Sequence, residues 1–170
     1  MDEYTPPAFP TTPVDAEALR YAMRQWATGV AIVTSVHNGT AHGMTVSSFT
    51  SVSLTPPQVL ISLALETRTY GLVRASRIFA VSLLGAGQEA ISDRFAGRAD
   101  EDDRLSGLET FTMVTGAPLL EPAIAHFDCR SIATFTSGTH SIYIGEVLAV
   151  RSSESASPLV YYDRGYHSLR

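Results

Sequence analysis

The chain has 170 residues, of which 45% are hydrophobic and 17% charged, and its formal net charge is −5. This length fits one domain, and the composition is that of a folded protein rather than a disordered one. The negative charge disfavours a nucleic-acid-binding surface, because such a surface needs clustered basic residues to neutralise phosphates. No apolar run approaches the length of a membrane span, and the N-terminus lacks the features of a signal peptide. We therefore expect a cytoplasmic protein that binds neither nucleic acid nor membrane.

Proline and cysteine positions predict how the chain is organised. Residues 1–13 contain four prolines, which cannot donate to a helix or sheet ladder, so they predict an N-terminal arm. One domain is predicted over residues 14–170. The single cysteine, Cys129, excludes an intrachain disulfide and fits a reducing compartment. Because Cys129 lies in an apolar, β-prone run, we interpret it as a buried core thiol.

The first predicted element is an amphipathic helix from Asp15 to Trp26, with Asp15 as its N-terminal cap. Leu19, Ala22 and Met23 recur with Trp26 at helical spacing. Such spacing places these side chains on one face of a helix. We therefore expect this stripe to pack into the core.

Two hairpins are predicted from turn residues between β-prone runs. Asn38-Gly39 is the strongest signal, because a two-residue type I′ turn needs positive φ at both central positions. Gly138-Thr139 separates two long apolar runs in the same way. Further strands are predicted at 50–54, 58–65, 78–84 and near the C-terminus, with short helices at 70–75 and after residue 88. Six or seven strands joined mostly by hairpins favour a closed or nearly closed antiparallel barrel, since closure removes exposed edges.

Several catalytic motifs are weak or absent. The run Gly85–Ala90 matches G-x-G-x-x-G/A, but no apolar strand follows its helix at the spacing that a dinucleotide-binding fold requires. We therefore interpret it as a turn before a helix. The sequence has no G-x-S-x-G motif, and its histidines form no metal-ligand pair, so we expect neither a serine hydrolase nor a metal site.

Two segments have both a structural and a ligand-binding interpretation. The hydroxyl-rich run Gly43–Ser53 is either a strand with a polar exposed face or a strand end that offers N–H and hydroxyl donors to a flat, polar-edged ring. Glu66–Thr69 is either a helix start with a threonine cap or an anion cradle in which Arg68 carries the charge recognition. Because these segments lie on consecutive strands, one ligand can reach both.

Several stretches resemble the flavin reductase-like, FMN-binding split-barrel family, whose members include reductase components of two-component monooxygenases. They are WATGVAIVT, HGMTVSSFTSVSLTPPQVLISLAL, FAVSLLGAGQEAISDRFAG, GTHSIYIGEVLAV and PLVYYDRGYH. The resemblance runs from Leu19 to His167, and its most specific part is the block G-M-T-x-S-S-F-x-S-V-S-x-x-P-P. It implies a mainly β fold, an antiparallel split β-barrel with a few peripheral helices, assembled as a homodimer. It also implies an NAD(P)H:flavin oxidoreductase that supplies reduced flavin to a flavin-dependent monooxygenase.

The resemblance also implies a set of cofactor-binding residues. Those at the edge of the isoalloxazine ring are Thr45, Val46, Ser47 and Ser48. Those near the ribityl phosphate are Ala64, Thr67, Arg68 and Thr69. Gln88 and Phe95 are expected beside the cofactor, and Thr28 and Gly29 in the same pocket.

The nicotinamide is expected at His140 and Tyr166, with His167 nearby. The family often has G-D-H where this chain has Gly138-Thr139-His140, so Thr139 replaces the acidic residue. The cofactor is expected to be FMN or FAD, with NADH or NADPH as the hydride donor. Hydride transfer depends on positioning, so no side chain is expected to act as an acid or base. Two alternatives stay open: a flavoprotein of the same fold that reduces another acceptor, and a non-catalytic flavin-binding module.

Overall fold

A computed structural model describes residues 12–98, 103–153 and 156–169. Its helices are α1 (Ala16–Met23), α2 (Arg68–Ser76) and α3 (Glu89–Phe95). Its strands are β1 (Thr28–Gly29), β2 (Ala31–His37), β3 (Thr40–Val46), β4 (Thr50–Leu54), β5 (Pro57–Ala64), β6 (Ile78–Leu83), β7 (Thr110–Phe111), β8 (Leu119–Leu120), β9 (Ala125–Ser137), β10 (His140–Ser152), β11 (Leu159–Tyr162) and β12 (Gly165–Ser168). No helix within these ranges has the length and apolar character needed to cross a membrane. The predicted N-terminal arm lies outside the described residues except for Thr12 and Pro13, which are exposed.

The main sheet is antiparallel and has seven strands in the order β3-β2-β6-β9-β10-β5-β4. Its two edge strands, β3 and β4, are consecutive in the chain and are linked by residues 47–49. Val46 of β3 and Ile61 of β5 belong to one buried cluster with Phe79 of β6. Strands from both ends of the sheet thus share one core, so the sheet is curled. In the described ranges no ladder joins β3 to β4, which confirms an antiparallel split barrel.

Both predicted hairpins are confirmed. Asn38 and Gly39 have φ angles of 49° and 76°, as the turn between β2 and β3 requires. Gly138, with φ of 55°, lies in the turn between β9 and β10, each of which has 13 residues. The interpretation of Gly85–Ala90 as a turn before a helix is also confirmed, because α3 follows it and β6 has only antiparallel neighbours.

The predicted closing strand is instead a hairpin, β11–β12. Asp163 and Arg164 form its turn with φ angles of 43° and 67°. Non-glycine residues adopt these angles only uncommonly, so the composition of the turn did not reveal it. Strand β11 also pairs with β1, which gives a second, three-stranded sheet beside the mouth of the barrel.

The expectation that the α1 stripe packs into the core is wrong for the single chain. Leu19, Met23 and Trp26 are 58%, 55% and 68% exposed, and no residue of α1 is buried. Asp15 precedes the helix but makes no side-chain capping bond. Helical spacing shows that a face is apolar but not what covers it, and no described element packs over this face.

The expectation of a buried core thiol at Cys129 is confirmed. Cys129 has no solvent exposure and lies in the same cluster as Phe79. Burial raises the pKa of its thiol to about 12. The thiol therefore contributes to packing and does not supply a thiolate at neutral pH.

Candidate functional site

A large cleft lies at the mouth of the barrel, between the two sheets. It encloses about 580 Å³ and contains four of the predicted residues, Thr28, Gly29, Ser47 and Ser48. Its apolar walls include Trp26, Phe49 and Leu60, none of which the sequence analysis named as a cofactor-binding residue. A volume of this size lies within the range of small-molecule binding sites.

The loop at residues 47–49 presents backbone donors. In the described part of the chain, the N–H groups of Ser47, Ser48 and Phe49 have no hydrogen-bond partner. The Ser48 hydroxyl donates to the Ser62 carbonyl at 2.8 Å and accepts from the Ser62 N–H at 3.2 Å. Ser48 therefore fixes the loop to β5 through its side chain, while the backbone amides of the loop stay open.

A second, smaller cleft of about 190 Å³ adjoins the first at Ser47, which lines both. It contains the predicted residues Thr45, Val46 and Tyr166, as well as Ser92, Arg98 and Tyr161, which the sequence analysis missed. The two tyrosines belong to the closing hairpin, so its aromatic composition was the available signal.

Hydrogen bonds hold the walls of the smaller cleft together. The Thr45 hydroxyl donates to the Ser92 carbonyl at 2.6 Å. The Tyr166 hydroxyl donates to Asp93 Oδ1 at 2.7 Å and lies 2.9 Å from Ser92 Oγ. Burial raises the pKa of Tyr166, so its hydroxyl stays protonated at neutral pH. These bonds tie β3 and β12 to α3.

The start of α2 lies beside Ala64, the last residue of β5. The Ala64 carbonyl accepts from both the N–H and the hydroxyl of Thr67, at 3.1 and 2.8 Å. The Thr67 hydroxyl also accepts from the Tyr70 N–H, so the predicted threonine cap is confirmed. Ser62 and Ala64 are two residues apart, which is roughly 7 Å along a strand. The serine loop and the helix start therefore converge on one edge of the barrel.

Arg68 and Thr69, which follow Thr67, differ in burial and in hydrogen bonding. Thr69 is fully buried, and its hydroxyl lies 2.8 Å from Nδ1 of His42 on β3. Arg68 is exposed, and within the described ranges its guanidinium has no hydrogen bond or ion pair. Burial, with Arg104 and Arg68 nearby, lowers the pKa of His42 to about 4. The hydroxyl of Thr69 is thus committed to His42, whereas the charge of Arg68 is open.

The remaining predicted residues lie around these clefts. Gln88 accepts from the Gly85 N–H at 2.7 Å and donates to the Pro122 carbonyl, so it shapes the loop before α3. Phe95 is fully buried, and a Cβ on Gly43 would lie only 2.8 Å from its ring. His140 is exposed, pairs in register with Ala64, and lines neither the larger nor the smaller cleft. Among the described residues, no group of His, Cys, Asp or Glu is arranged to hold a metal ion.

Comparisons with known proteins agree with this geometry. A sequence profile of the family described as "Flavin reductase like domain" matches residues 23–170. FMN reductase (NADH) RutF 2 of Rhizobium rhizogenes is 34% identical over 165 residues, covering 97% of this chain and 95% of that protein. The structure of the NADH:FAD oxidoreductase SgcE6 of Streptomyces globisporus matches with a TM-score of 0.87 at 32% identity, covering 97% of this chain and 99% of that one. The styrene monooxygenase flavin reductase SMOB of Pseudomonas putida matches with a TM-score of 0.80 at 35% identity, covering 89% and 97% of the two chains.

Proposed function

Because the chain belongs to the family of flavin reductase like domains, we propose that it is an NADH:flavin oxidoreductase that reduces FMN. Similarity to an FMN reductase (NADH) over 97% of the chain supports both the donor and the acceptor. The observation in the structure that carries the proposal is the pairing of open amides at residues 47–49 with the start of α2, across the end of β5.

The donor groups at this edge fit a flavin mononucleotide. A flavin has a flat ring with polar edges and a phosphate at the end of a short chain. The open amides of Ser47 and Ser48 suit the ring edge, and Arg68 at the start of α2 suits the phosphate. Trp26 and Phe49 supply apolar walls that exclude water from the ring. When bound, the flavin supplies the redox chemistry, because its ring accepts the hydride from NADH.

The contribution of the protein is positioning and charge stabilisation. Donors fixed in place before the reaction stabilise negative charge without reorganising, and backbone amides are such donors. The two hydrogen bonds between Ser48 and Ser62 fix the position of the loop at residues 47–49 relative to β5. We assign nicotinamide contacts to Tyr166, which lines the adjoining cleft, and to His140, which lies beside Ala64. No side chain is assigned as an acid or base.

A turnover assay tests the function and separates it from the two alternatives. NADH and NADPH are each combined with FMN, FAD and riboflavin, and loss of nicotinamide absorbance and oxygen uptake are followed. Rapid oxidation of NADH that requires added FMN supports the proposal. Flavin binding without NADH oxidation would instead indicate a binding module. Oxidation only when a quinone or ferric complex is added would indicate another acceptor.

We also propose that two copies of the chain assemble through surfaces that include α1. Leu19 and Met23 of α1 are exposed, as is Trp26, which follows α1 and lines the larger cleft, and exposed apolar patches mark interaction sites. Light scattering after size exclusion should give twice the chain mass for the wild type. Leu19→Glu combined with Met23→Glu should give the single-chain mass with an unchanged circular dichroism spectrum.

The reduced flavin is proposed to serve a flavin-dependent monooxygenase in the cytoplasm. The similar Pseudomonas putida protein is the flavin reductase of a styrene monooxygenase. A two-component assay tests this role: the chain, NADH and FMN are mixed with a reductase-free monooxygenase, and product is measured. Product that depends on the chain and on FMN, and that persists when catalase removes hydrogen peroxide, would support transfer of reduced flavin.

A further inference from the structure

A hydrogen-bonded network stands behind the wall of the smaller cleft. That cleft is lined by Ser92, Arg98, Tyr161 and Tyr166, among others. Asp93 does not line it, yet Asp93 Oδ1 accepts from the Tyr166 hydroxyl at 2.7 Å and from the Arg98 guanidinium at 2.8 Å. Asp93 thus holds two side chains of the wall from behind. It has no role in the flavin site proposed above.

The end of α3 brings Arg98 back to Asp93. Gly97 has a φ of 75°, and its N–H donates to the Arg94 carbonyl at 3.2 Å, while the Arg98 N–H donates to the Asp93 carbonyl at 3.1 Å. These two bonds form a Schellman motif, in which a left-handed residue, usually glycine, ends a helix and reverses the chain. The Arg98 side chain therefore lies beside the last turn of α3, within reach of the Asp93 carboxylate.

The Tyr166 hydroxyl has no donor left for a ligand. It carries one proton, and it donates this proton to the Asp93 carboxylate at 2.7 Å, because an ionised carboxylate can only accept. The Ser92 hydroxyl, 2.9 Å away, then donates to the phenol oxygen. Tyr166 therefore presents its ring, and not its hydroxyl, to the cleft. The two bonds to α3 fix the orientation of that ring.

A second tyrosine belongs to the same network. Tyr161 pairs with Tyr166 across β11 and β12, and their ring centroids are 5.4 Å apart at an interplanar angle of 62°. Hydrogen bonds to Tyr161 and to Asp93 raise the pKa of Arg98 above its ordinary value, so the guanidinium bridges these two residues. Asp93 therefore holds one ring directly and the other through Arg98.

The two bonds of Asp93 contribute unequally. The Arg98 and Asp93 side chains are 57% and 42% exposed, and an ion pair so open to water contributes little. Tyr166 is partly buried, and its hydrogen bond to a carboxylate is charge-assisted, which makes it the stronger of the two. The orientation of the Tyr166 ring should therefore depend on Asp93 more than the position of Arg98 does.

We propose that Asp93 is a positioning residue for the hydride donor: it fixes the Tyr166 ring as a wall of the smaller cleft, against which the nicotinamide packs. The proposal rests on the proposed function, because NADH is what brings a nicotinamide to this chain. The two clefts meet at Ser47, so a single ring in the smaller cleft lies beside a flavin in the larger one. Hydride transfer requires such contact between the rings. Asp93 acts through Tyr166 and exchanges no proton with either ligand.

Anaerobic stopped-flow reduction of bound FMN tests the proposal, because it separates NADH binding from hydride transfer. The dependence of the rate on NADH concentration gives a Kd for NADH and a limiting rate constant. The proteins are the wild type, Asp93→Ala, Asp93→Asn, Tyr166→Phe and the double variant Asp93→Ala/Tyr166→Phe. Glu89→Gln, which removes a negative charge from the first turn of the same helix, is the matched control. The Kd for FMN and the melting temperature are measured for each protein.

Asp93→Ala and Tyr166→Phe should each raise the Kd for NADH by about tenfold and leave the Kd for FMN within twofold. The freed ring must be ordered again when NADH binds, at a cost set by the hydrogen bond that held it. The double variant should lose no more than either single variant, because both substitutions remove the same bond. Asp93→Asn keeps an acceptor oxygen for Tyr166 and should recover most of the affinity. Loss of a negative charge alone favours anionic NADH, so Glu89→Gln should not raise the Kd.

Three results would overturn the proposal. The first is an unchanged or lower Kd for NADH in Asp93→Ala, and the second is additive losses in the double variant. The third is a loss of FMN and NADH affinity together with a lower melting temperature, since Asp93 would then only stabilise the fold. Tyr166→Phe removes the same bond and keeps both the ring and the carboxylate, so the test stays valid if Asp93→Ala does not fold.

A probe that needs no flavin reduction separates failure of this proposal from failure of the proposed function. NAD⁺ is titrated into protein with isotope-labelled tyrosine rings, and the Tyr166 signal, identified by its loss in Tyr166→Phe, is followed by NMR. A saturating shift whose Kd rises in Asp93→Ala supports the role of Asp93 even if the chain reduces no flavin. No shift of Tyr166 at millimolar NAD⁺ would overturn this proposal alone when the chain reduces FMN with NADH, and both proposals when it does not.

Discussion

The loop at residues 47–49 and the first turn of α2 both lie beside the end of β5, but they leave different groups open. In the loop, the Ser48 hydroxyl is bonded to Ser62 and the backbone amides are open. In the helix turn, the Thr67 and Thr69 hydroxyls are bonded to Ala64 and His42, and the Arg68 guanidinium is open. In both regions hydroxyls hold the structure, and we propose that the open amides and the cation are the groups that face the flavin.

This difference separates two kinds of variant. Substitutions that remove an amide or a guanidinium should weaken ligand binding with little effect on folding. Substitutions that remove a committed hydroxyl should lower the free energy of unfolding, with a smaller effect on binding. The sequence alone suggested amides and hydroxyls together as ligand donors, with Arg68 for the charge, so these variants test which of the groups bind the ligand.

The largest effect is expected from Ser47→Pro. Proline has no N–H, so the variant removes one open amide from the loop, and an unpaired polar ligand atom costs about 1 to 3 kcal/mol. We expect FMN affinity, measured by fluorescence titration, to fall tenfold or more. Ser47→Ala keeps the amide and removes a hydroxyl that has no hydrogen bond in the described ranges, so its affinity should match the wild type. Equal losses in the two variants would mean that the side chain, and not the amide, contacts the ligand.

Thr69→Val should lower the free energy of unfolding by nearly as much as Ser47→Pro weakens the free energy of FMN binding. Valine has the same shape as threonine and leaves Nδ1 of buried His42 without its partner at 2.8 Å. We expect the free energy of unfolding in urea to fall by about 1 to 3 kcal/mol. Thr40→Val, at an exposed position at the start of β3, is the control and should change stability little. A stable Thr69→Val protein with weakened flavin binding would show that the hydroxyl serves the ligand instead.

The elements with local signals could be predicted from the sequence, and those that depend on distant partners could not. Asn38-Gly39 fixed the first hairpin because positive φ is a local property of the turn. The helical spacing of Leu19 and Met23 predicted α1 correctly, yet not its exposure, which depends on what packs against it. Likewise the pattern drew attention to Ser48, which lines the larger cleft, whereas its bond to Ser62, 14 residues away, was not visible in the pattern.

His42 predicts a specific dependence of stability on pH. Its pKa falls from 6.5 to about 4 in the folded chain. The unfolded chain therefore binds the proton first, so the stability contribution of the neutral ring is complete above pH 6.5 and is lost as the pH falls toward 4. We expect the wild type to lose about 1 to 2 kcal/mol at pH 5 through this group. The loss is measured by urea unfolding of the wild type and His42→Asn at pH 7 and pH 5. The difference between the unfolding free energies of the two proteins cancels the contributions of the carboxylates that they share. Parallel pH profiles would exclude a buried neutral His42.

The smallest effect is expected from Ser48→Ala, and it bears most directly on how the loop is held. The variant removes both bonds to Ser62, at 2.8 and 3.2 Å, but keeps the backbone N–H of residue 48. A half-buried hydroxyl of this kind contributes about 1 kcal/mol, so the urea midpoint should fall slightly, while Ser47→Ala leaves it unchanged. FMN affinity should fall by less than in Ser47→Pro, because the amides remain and only their positions become less fixed. A loss of affinity equal to that of Ser47→Pro, without a change in stability, would assign the Ser48 hydroxyl to the ligand and end the distinction between holding and binding groups in this loop.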